Sequence, residues 1–165
     1  MKEIVFFRHG HAMSLAEAGV DEDSQRPLSE RGIDEAGQAA RQLVRSGVKP
    51  ELLLVSTYMR ARQTAEILSG LFPEAEKKFC AALAEQNPSA ILGFLASSEI
   101  SEKNSIVVVG HQPSVGFLSG YFTGRIAYPM TPASFVSIEV RGETFSPSPD
   151  NILKFRYDPD RGILH

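Results

Sequence analysis

Three short, uninterrupted apolar runs, Ile4 to Phe7, Leu52 to Val55 and Ile106 to Val109, each lead into sequence of helical period. Runs of this length and make-up suit strands buried on both faces, and such strands belong in parallel sheets covered by helices. The alternation of strand and helix points to an α/β domain with a mostly parallel central sheet.

The helices read from spacing and punctuation. Ser29 is an N-cap, and Ile33, Ala36, Ala40, Leu43 and Val44 keep a helical period up to Gly47 and Pro50. A second stripe, Ala61, Thr64, Ala65, Leu68 and Leu71, must stop by Pro73. Asn87 caps a third helix with Pro88 at its first position, carrying Ile91, Leu92 and Leu95 inward. Pro113, Val115, Leu118 and Phe122 form a fourth stripe, with Gly124 as the stop. From Ser134 to Val140 and from Ile152 to Tyr157 the residues alternate, which predicts a closing antiparallel pair at the C-terminal end.

Length and composition narrow the function classes. At 165 residues one domain spanning residues 1–165 is expected, against a prior of ~150 residues per domain. Seventeen basic against 20 acidic residues give a net charge of -3, which argues against a nucleic-acid partner. Cys80 is the only cysteine, so neither an intrachain disulfide nor a cysteine-based zinc site can form. No apolar run approaches the ~18 residues of a membrane span, and the apolar stretch after Lys2 and Glu3 is too short for a signal peptide. The expectation is a cytoplasmic protein with no membrane partner.

In a parallel sheet, ligands sit outside the carboxyl ends of the strands. The first run ends in Arg8-His9-Gly10-His11, the second passes through Ser56-Thr57 into a helix whose first turn holds Arg60, and the third ends in Gly110-His111-Gln112-Pro113. If these strands are adjacent, two arginines and at least two histidines meet. Such a pocket suits a dianionic phosphoryl group, because arginine's planar fork matches phosphate oxygens and helix N-termini add N–H donors. Gly10 would let the backbone approach the ligand closely. A neutral imidazole among cations keeps a free lone pair at neutral pH and is a competent nucleophile.

These junctions resemble the histidine phosphatase superfamily. Arg26-Pro27-Leu28-Ser29 with Gly32, Ser56 through Arg60-Ala61 with Gln63-Thr64, and Val109 through Pro113 are most similar to the SixA-type phosphohistidine phosphatases, over roughly residues 2 to 140. The resemblance implies a three-layer, phosphoglycerate mutase-like sandwich and a phosphatase that works through a covalent phosphohistidine. His9 would be the nucleophile, Arg8 and Arg60 the clamp on the phosphoryl oxygens, His111 a second imidazole stabilising the transferring group, and Arg26 a further contact. His11 stands where the family more often has an acidic residue. Larger members carry a catalytic glutamate as general acid, and Glu85 stands at the comparable place. The implied partner is a phosphorylated protein of the histidine phosphotransfer type, with no cofactor and no metal.

Other readings stay open at single residues. His9 and His11 could be metal ligands, but alternate residues on an extended segment point to opposite faces and no carboxylate motif lies alongside. Arg26 could pair only with nearby acids, Glu85 could be a solvated loop residue, and Tyr58 could be lid or packing. A small-molecule phosphomonoesterase and a non-catalytic phosphate-binding module are the rival functions. Residues 12–35 hold seven acidic and two basic residues, a net of -5, as solvated loops do. Flanking a pocket mouth, such a loop would disfavour polyanionic substrates.

Overall fold

A computed structural model describes residues 1–165. Seven strands, β1 (Lys2–Arg8), β2 (Leu52–Val55), β3 (Glu76–Phe79), β4 (Ser105–Gly110), β5 (Phe135–Val140), β6 (Ile152–Asp158) and β7 (Gly162–Leu164), form one sheet in the order β3-β2-β4-β1-β5-β6-β7. The helices are α1 (Leu15–Ala18), α2 (Glu30–Arg45), α3 (Met59–Leu71), α4 (Ala81–Glu85), α5 (Pro88–Leu95), α6 (Ser98–Ser101) and α7 (Ser114–Tyr121), with a single 3-10 turn over Asp23–Gln25. The three apolar runs are the three central parallel strands β1, β2 and β4. The closing pair is β5 and β6, antiparallel to each other, with β5 antiparallel to β1.

The strand order explains the layers. From β1 to β2 and from β2 to β3 the chain steps toward the same edge, and from β3 to β4 it steps back. Right-handed crossovers then put α2 and α3 on one face and α4, α5 and α6 on the other. Both faces carry a comparable core: 19 buried residues on the α5 and α7 side, including Ile4, Phe6, Leu54, Ile91, Val108 and Leu118, and 17 on the α2 and α3 side, including Val5, Phe7, Leu43, Leu53, Leu68 and Val109. Successive residues of β1, β2 and β4 therefore alternate between two dry layers, which is why those runs contain no polar residue.

Four stripe positions and two strands depart from the sequence reading. Ile33 is 52% exposed and Val44 46%. The buried face of α2 is Gly32, Ala36, Ala39, Ala40 and Leu43, and at 100° per residue the other two lie roughly a quarter-turn off its centre. Leu71 and Pro113 are also exposed, each at the end of its stripe. Strands β3 and β7 carried no apolar run because they are the two edges of the sheet; β3 reads Glu-Lys-Lys-Phe, the charged composition that protects an edge from further pairing. The caps at Ser29, which accepts from the Gly32 N–H at 3.0 Å, and at Asn87, which accepts from the Ala90 N–H at 3.1 Å, are as expected.

Candidate active site

Strand register builds the site. Arg8 pairs with Gly110 and Val55 with Val109, so Arg8, Gly110 and Ser56 end their strands at one level. One residue beyond, His9 and His111 come together with ring centroids 5.1 Å apart, 7% and 4% exposed. Arg60, 7% exposed in the first turn of α3, reaches over them and donates from Nε to His9 Nε2 at 3.3 Å. A cavity of about 250 Å³ opens here, lined among others by Arg8, His9, Arg26, Arg60, His111 and Gln86.

The two imidazoles are set in different states by their other partners. His9 Nδ1 lies 2.7 Å from the Gly10 carbonyl, which can only accept, so Nδ1 carries the proton and Nε2 keeps its lone pair. The Arg60 N–H aimed at Nε2 fits the same tautomer. At His111 the Ser56 hydroxyl lies 2.7 Å from Nε2 and accepts the Tyr58 N–H at 3.3 Å. With no other acceptor for its proton, Ser56 donates to Nε2, which leaves Nδ1 as the protonated nitrogen. That Nδ1 is buried without a partner, as is Arg8 Nε. Each unsatisfied group costs about 1–3 kcal/mol, a cost that anionic oxygens beside them would offset.

Charge and burial keep both rings neutral. Burial first, then the charges around it, lower His9 to about 3 against the upward pull of the Gly10 bond. Burial, then Arg60, lower His111 to about 4, with Asp23 pulling the other way. Burial and Arg60 lower Arg8 from its ordinary value. The arrangement is thus one nucleophile with a free lone pair, one neutral donor and a cluster of guanidinium groups around a small space. It can hold a tetrahedral oxyanion and attack it.

Several residues play parts other than those expected. Gly10 does not line the cavity: a Cβ there would meet the Gly32 carbonyl at 2.8 Å and a Leu28 methyl at 3.2 Å, so its smallness serves the approach of the first turn of α2. Gly32 is the other half of that contact, since its Cβ would fall 1.9 Å from the His11 carbonyl. His11 lines the same cavity as His9, because β1 ends at Arg8 and strand alternation ends with it. Its Nδ1 is paired with Ser29 Oγ at 2.7 Å, and no group of three His, Cys, Asp or Glu side chains is arranged to hold a metal ion. Arg26 lines the cavity and also pairs with Asp23 at 2.9 Å and the Met13 carbonyl at 2.7 Å. Glu85 is exposed and outside the cavity; its neighbour Gln86, in a left-handed turn with φ of 53°, lines it instead.

Residues the sequence left unassigned complete the frame. Thr64 accepts the Gly10 N–H at 3.1 Å and donates to the Arg60 carbonyl at 2.8 Å, and Gln63 accepts the Leu28 N–H at 2.7 Å. The motif that carries Arg60 included both, without a role for either. Tyr58 packs its ring edge-on to His111 at 5.1 Å and under Arg60 at 5.0 Å, as a wall. Asp23, one of seven acids in a polar loop, pairs with Arg60 through both its carboxylate, at 3.1 Å, and its carbonyl, at 2.8 Å.

Comparison with known proteins gives concordant matches. Residues 4–104 match the family model of the histidine phosphatase superfamily (branch 1). An uncharacterized protein of Picosynechococcus sp. is 36% identical over 115 residues, covering 69% of this chain and 68% of that one. The phosphohistidine phosphatase SixA of Escherichia coli is 27% identical over 163 residues, covering 95% and 94%. Among solved structures, the protein histidine phosphatase SixA complexed with tungstate superposes with a TM-score of 0.81 at 24% identity, covering 96% and 97%. The fold is the phosphoglycerate mutase-like one, a mixed sheet with parallel core strands and antiparallel C-terminal strands.

Proposed function

The chain belongs to branch 1 of the histidine phosphatase superfamily, and from that premise we propose that it is a phosphatase working through a covalent phosphohistidine on His9, with phosphohistidine on a signalling or phosphotransfer protein as its favoured substrate. The observation that carries this reading is the His9 tautomer: Nδ1 donates to Gly10 and Nε2 holds a lone pair beside Arg60. In the first step Nε2 attacks phosphorus as the bond to the leaving group breaks, and the leaving group departs with the electron pair. In the second, water attacks phosphorus, the P–N bond to His9 breaks with its electron pair returning to Nε2, and the protons of the water leave with the inorganic phosphate. Because Nδ1 stays protonated on Gly10, the phosphorylated ring is an imidazolium, and it leaves as the neutral ring that began the cycle. Arg8, Arg60 and Nδ1 of His111 surround the charge that develops on the equatorial oxygens.

The substrate class is argued from what the cavity lacks. An alkoxide leaving group needs a proton delivered by a placed acid, worth ~10²–10⁴-fold in rate. Glu85 is outside the cavity, and Gln86 in the wall has no proton to give. Imidazole, with a conjugate acid near ~6.5, leaves without such help once its ring is protonated. Of the acidic segment only Ala12 and Arg26 line the cavity, so its carboxylates stand outside the space the phosphoryl group would enter. The likeness to SixA, of which the solved form holds tungstate, a tetrahedral oxyanion, supports the same reading.

The test is release of inorganic phosphate from a panel of phosphohistidine proteins and phosphorylated metabolites, with the reaction stopped to trap the enzyme. An acid-labile, base-stable phosphoryl label on His9 and preference for phosphohistidine are expected. Label on a serine or the cysteine overturns the mechanism; a sugar phosphate outcompeting every phosphohistidine protein transfers the assignment to a small-molecule phosphomonoesterase.

A further inference from the structure

We propose that Asp23 is a positioning residue that holds Arg60 from behind and fixes which edge of its guanidinium faces His9. The inference rests on Arg60 being the phosphoryl clamp proposed above. Three of the five N–H groups of Arg60 are engaged: Nε with His9, Nη1 with the Asp23 carbonyl at 2.8 Å, and Nη2 with Asp23 Oδ2 at 3.1 Å. The outer edge of the fork is thus gripped twice by one residue. The other carboxylate oxygen, Oδ1, takes Arg26 Nη1 at 2.9 Å. One carboxylate therefore ties together two arginines that both line the cavity.

Its location decides between positioning and obstruction. Asp23 does not line the cavity that its two partners line, so it stands behind the guanidinium groups and does not occupy the ligand's place. Nor is it there to hold the loop, whose base is closed without it by Met13 N–H to the Pro27 carbonyl at 2.9 Å, Ser29 N–H to the His11 carbonyl at 3.0 Å and Leu28 N–H to Gln63 at 2.7 Å. What the carboxylate adds is charge between two cations. Arg26, then Arg60, hold it below the ordinary carboxylate range, so it stays ionised at neutral pH. Without it Arg26 and Arg60 repel each other, and Arg60 keeps only the carbonyl on its outer edge.

A double-mutant cycle tests this, with turnover of an aryl phosphate and binding of inorganic phosphate as the two measurements. Asp23→Ala is expected to lower kcat/KM about 100-fold, the scale of a 1 Å misplacement of a catalytic group. In an Arg60→Ala background the same change should alter kcat/KM by no more than about twofold, because its effect passes through Arg60. Asp23→Asn, which keeps an acceptor but not the charge and leaves the loop closed, should lose activity to a smaller extent, and its loss too should vanish in the Arg60→Ala background. Equal losses with and without Arg60, or an Asp23→Ala enzyme as fast as the parent or faster, overturn the proposal while the parent enzyme's turnover keeps the phosphatase reading intact. A parent protein that neither turns over the aryl phosphate nor binds phosphate removes the clamp itself, and both readings fall.

Discussion

The floor and the wall of the cavity are built by different means. The floor, His9 and His111 with Arg8, continues the ends of β1 and β4, strands paired residue for residue and buried on both faces. The wall, Arg60 and Arg26 backed by Asp23 outside the cavity, comes from the first turn of α3 and a polar loop, and is held by hydrogen bonds and charge. The floor places atoms by backbone geometry and keeps its two imidazoles neutral by removing water. The wall brings charge and keeps it oriented by pairing it. The attacking atom thus directly follows a buried central strand, whereas Arg60 and Arg26 depend on side-chain pairing for their place.

The sharpest way to break this comparison is to empty the floor. His9→Ala should reduce turnover on the order of 10⁶-fold, as loss of a nucleophile does, while inorganic phosphate still binds because Arg8 and Arg60 remain. Wild-type rates in that variant would mean that the wall alone does the chemistry. Arg60→Ala should cost ~10²–10³-fold in kcat, because the charge it meets grows in the transition state, and weaken phosphate binding as well, because it also pairs with the ground-state oxyanion. If kcat falls with phosphate affinity unchanged, Arg60 acts on the transition state only.

Acid separates the two regions by stability. In the folded chain His9 titrates near 3 and His111 near 4, against ~6.5 when unfolded, so between those values the unfolded chain binds more protons. Their contribution is complete above ~6.5 and is lost as pH falls toward the folded values, up to about 2 kcal/mol per histidine by about pH 5. Melting curves should show Tm falling over that interval, and falling less in His111→Asn. A Tm independent of pH there would show that the floor is wet. The smallest effect belongs to Glu85, outside both regions: Glu85→Gln should leave phosphohistidine hydrolysis within about twofold, measured as kcat/KM, and a crippled enzyme would bring a general acid back into the wall.

Legibility in the sequence followed the same division. The central strands were readable because burial on two faces forbids polar residues, and the floor was readable because its residues directly follow those strands. Ile33 and Val44 were misplaced because a helix stripe at the margin of a layer has no sharp edge in one dimension. In the wall, Arg60 and Arg26 were singled out, both through the motifs they stand in. Asp23 could not be singled out, since one acid among seven in a polar loop carries no mark of which arginine it meets. Ser56 read as part of a strand-to-helix junction and Thr64 as one position of a helical stripe, because their role is to hold another residue's proton or backbone. Gln86 was missed for Glu85 because a one-residue left-handed turn decides which of two neighbours faces the cavity.

The contact between Gly10 and Gly32 bears on how such a site can be remodelled. With each glycine seated against backbone of the opposite segment, neither position can accept even a methyl group without parting the loop after β1 from α2. Changes in the size of what the cavity admits are better sought at Gln86, Gln112 and Pro132, which line it outside the proposed catalytic groups. A directed-evolution library aimed at new leaving groups is best spent on those three positions, and variation at the glycines should return mostly proteins that fail to fold.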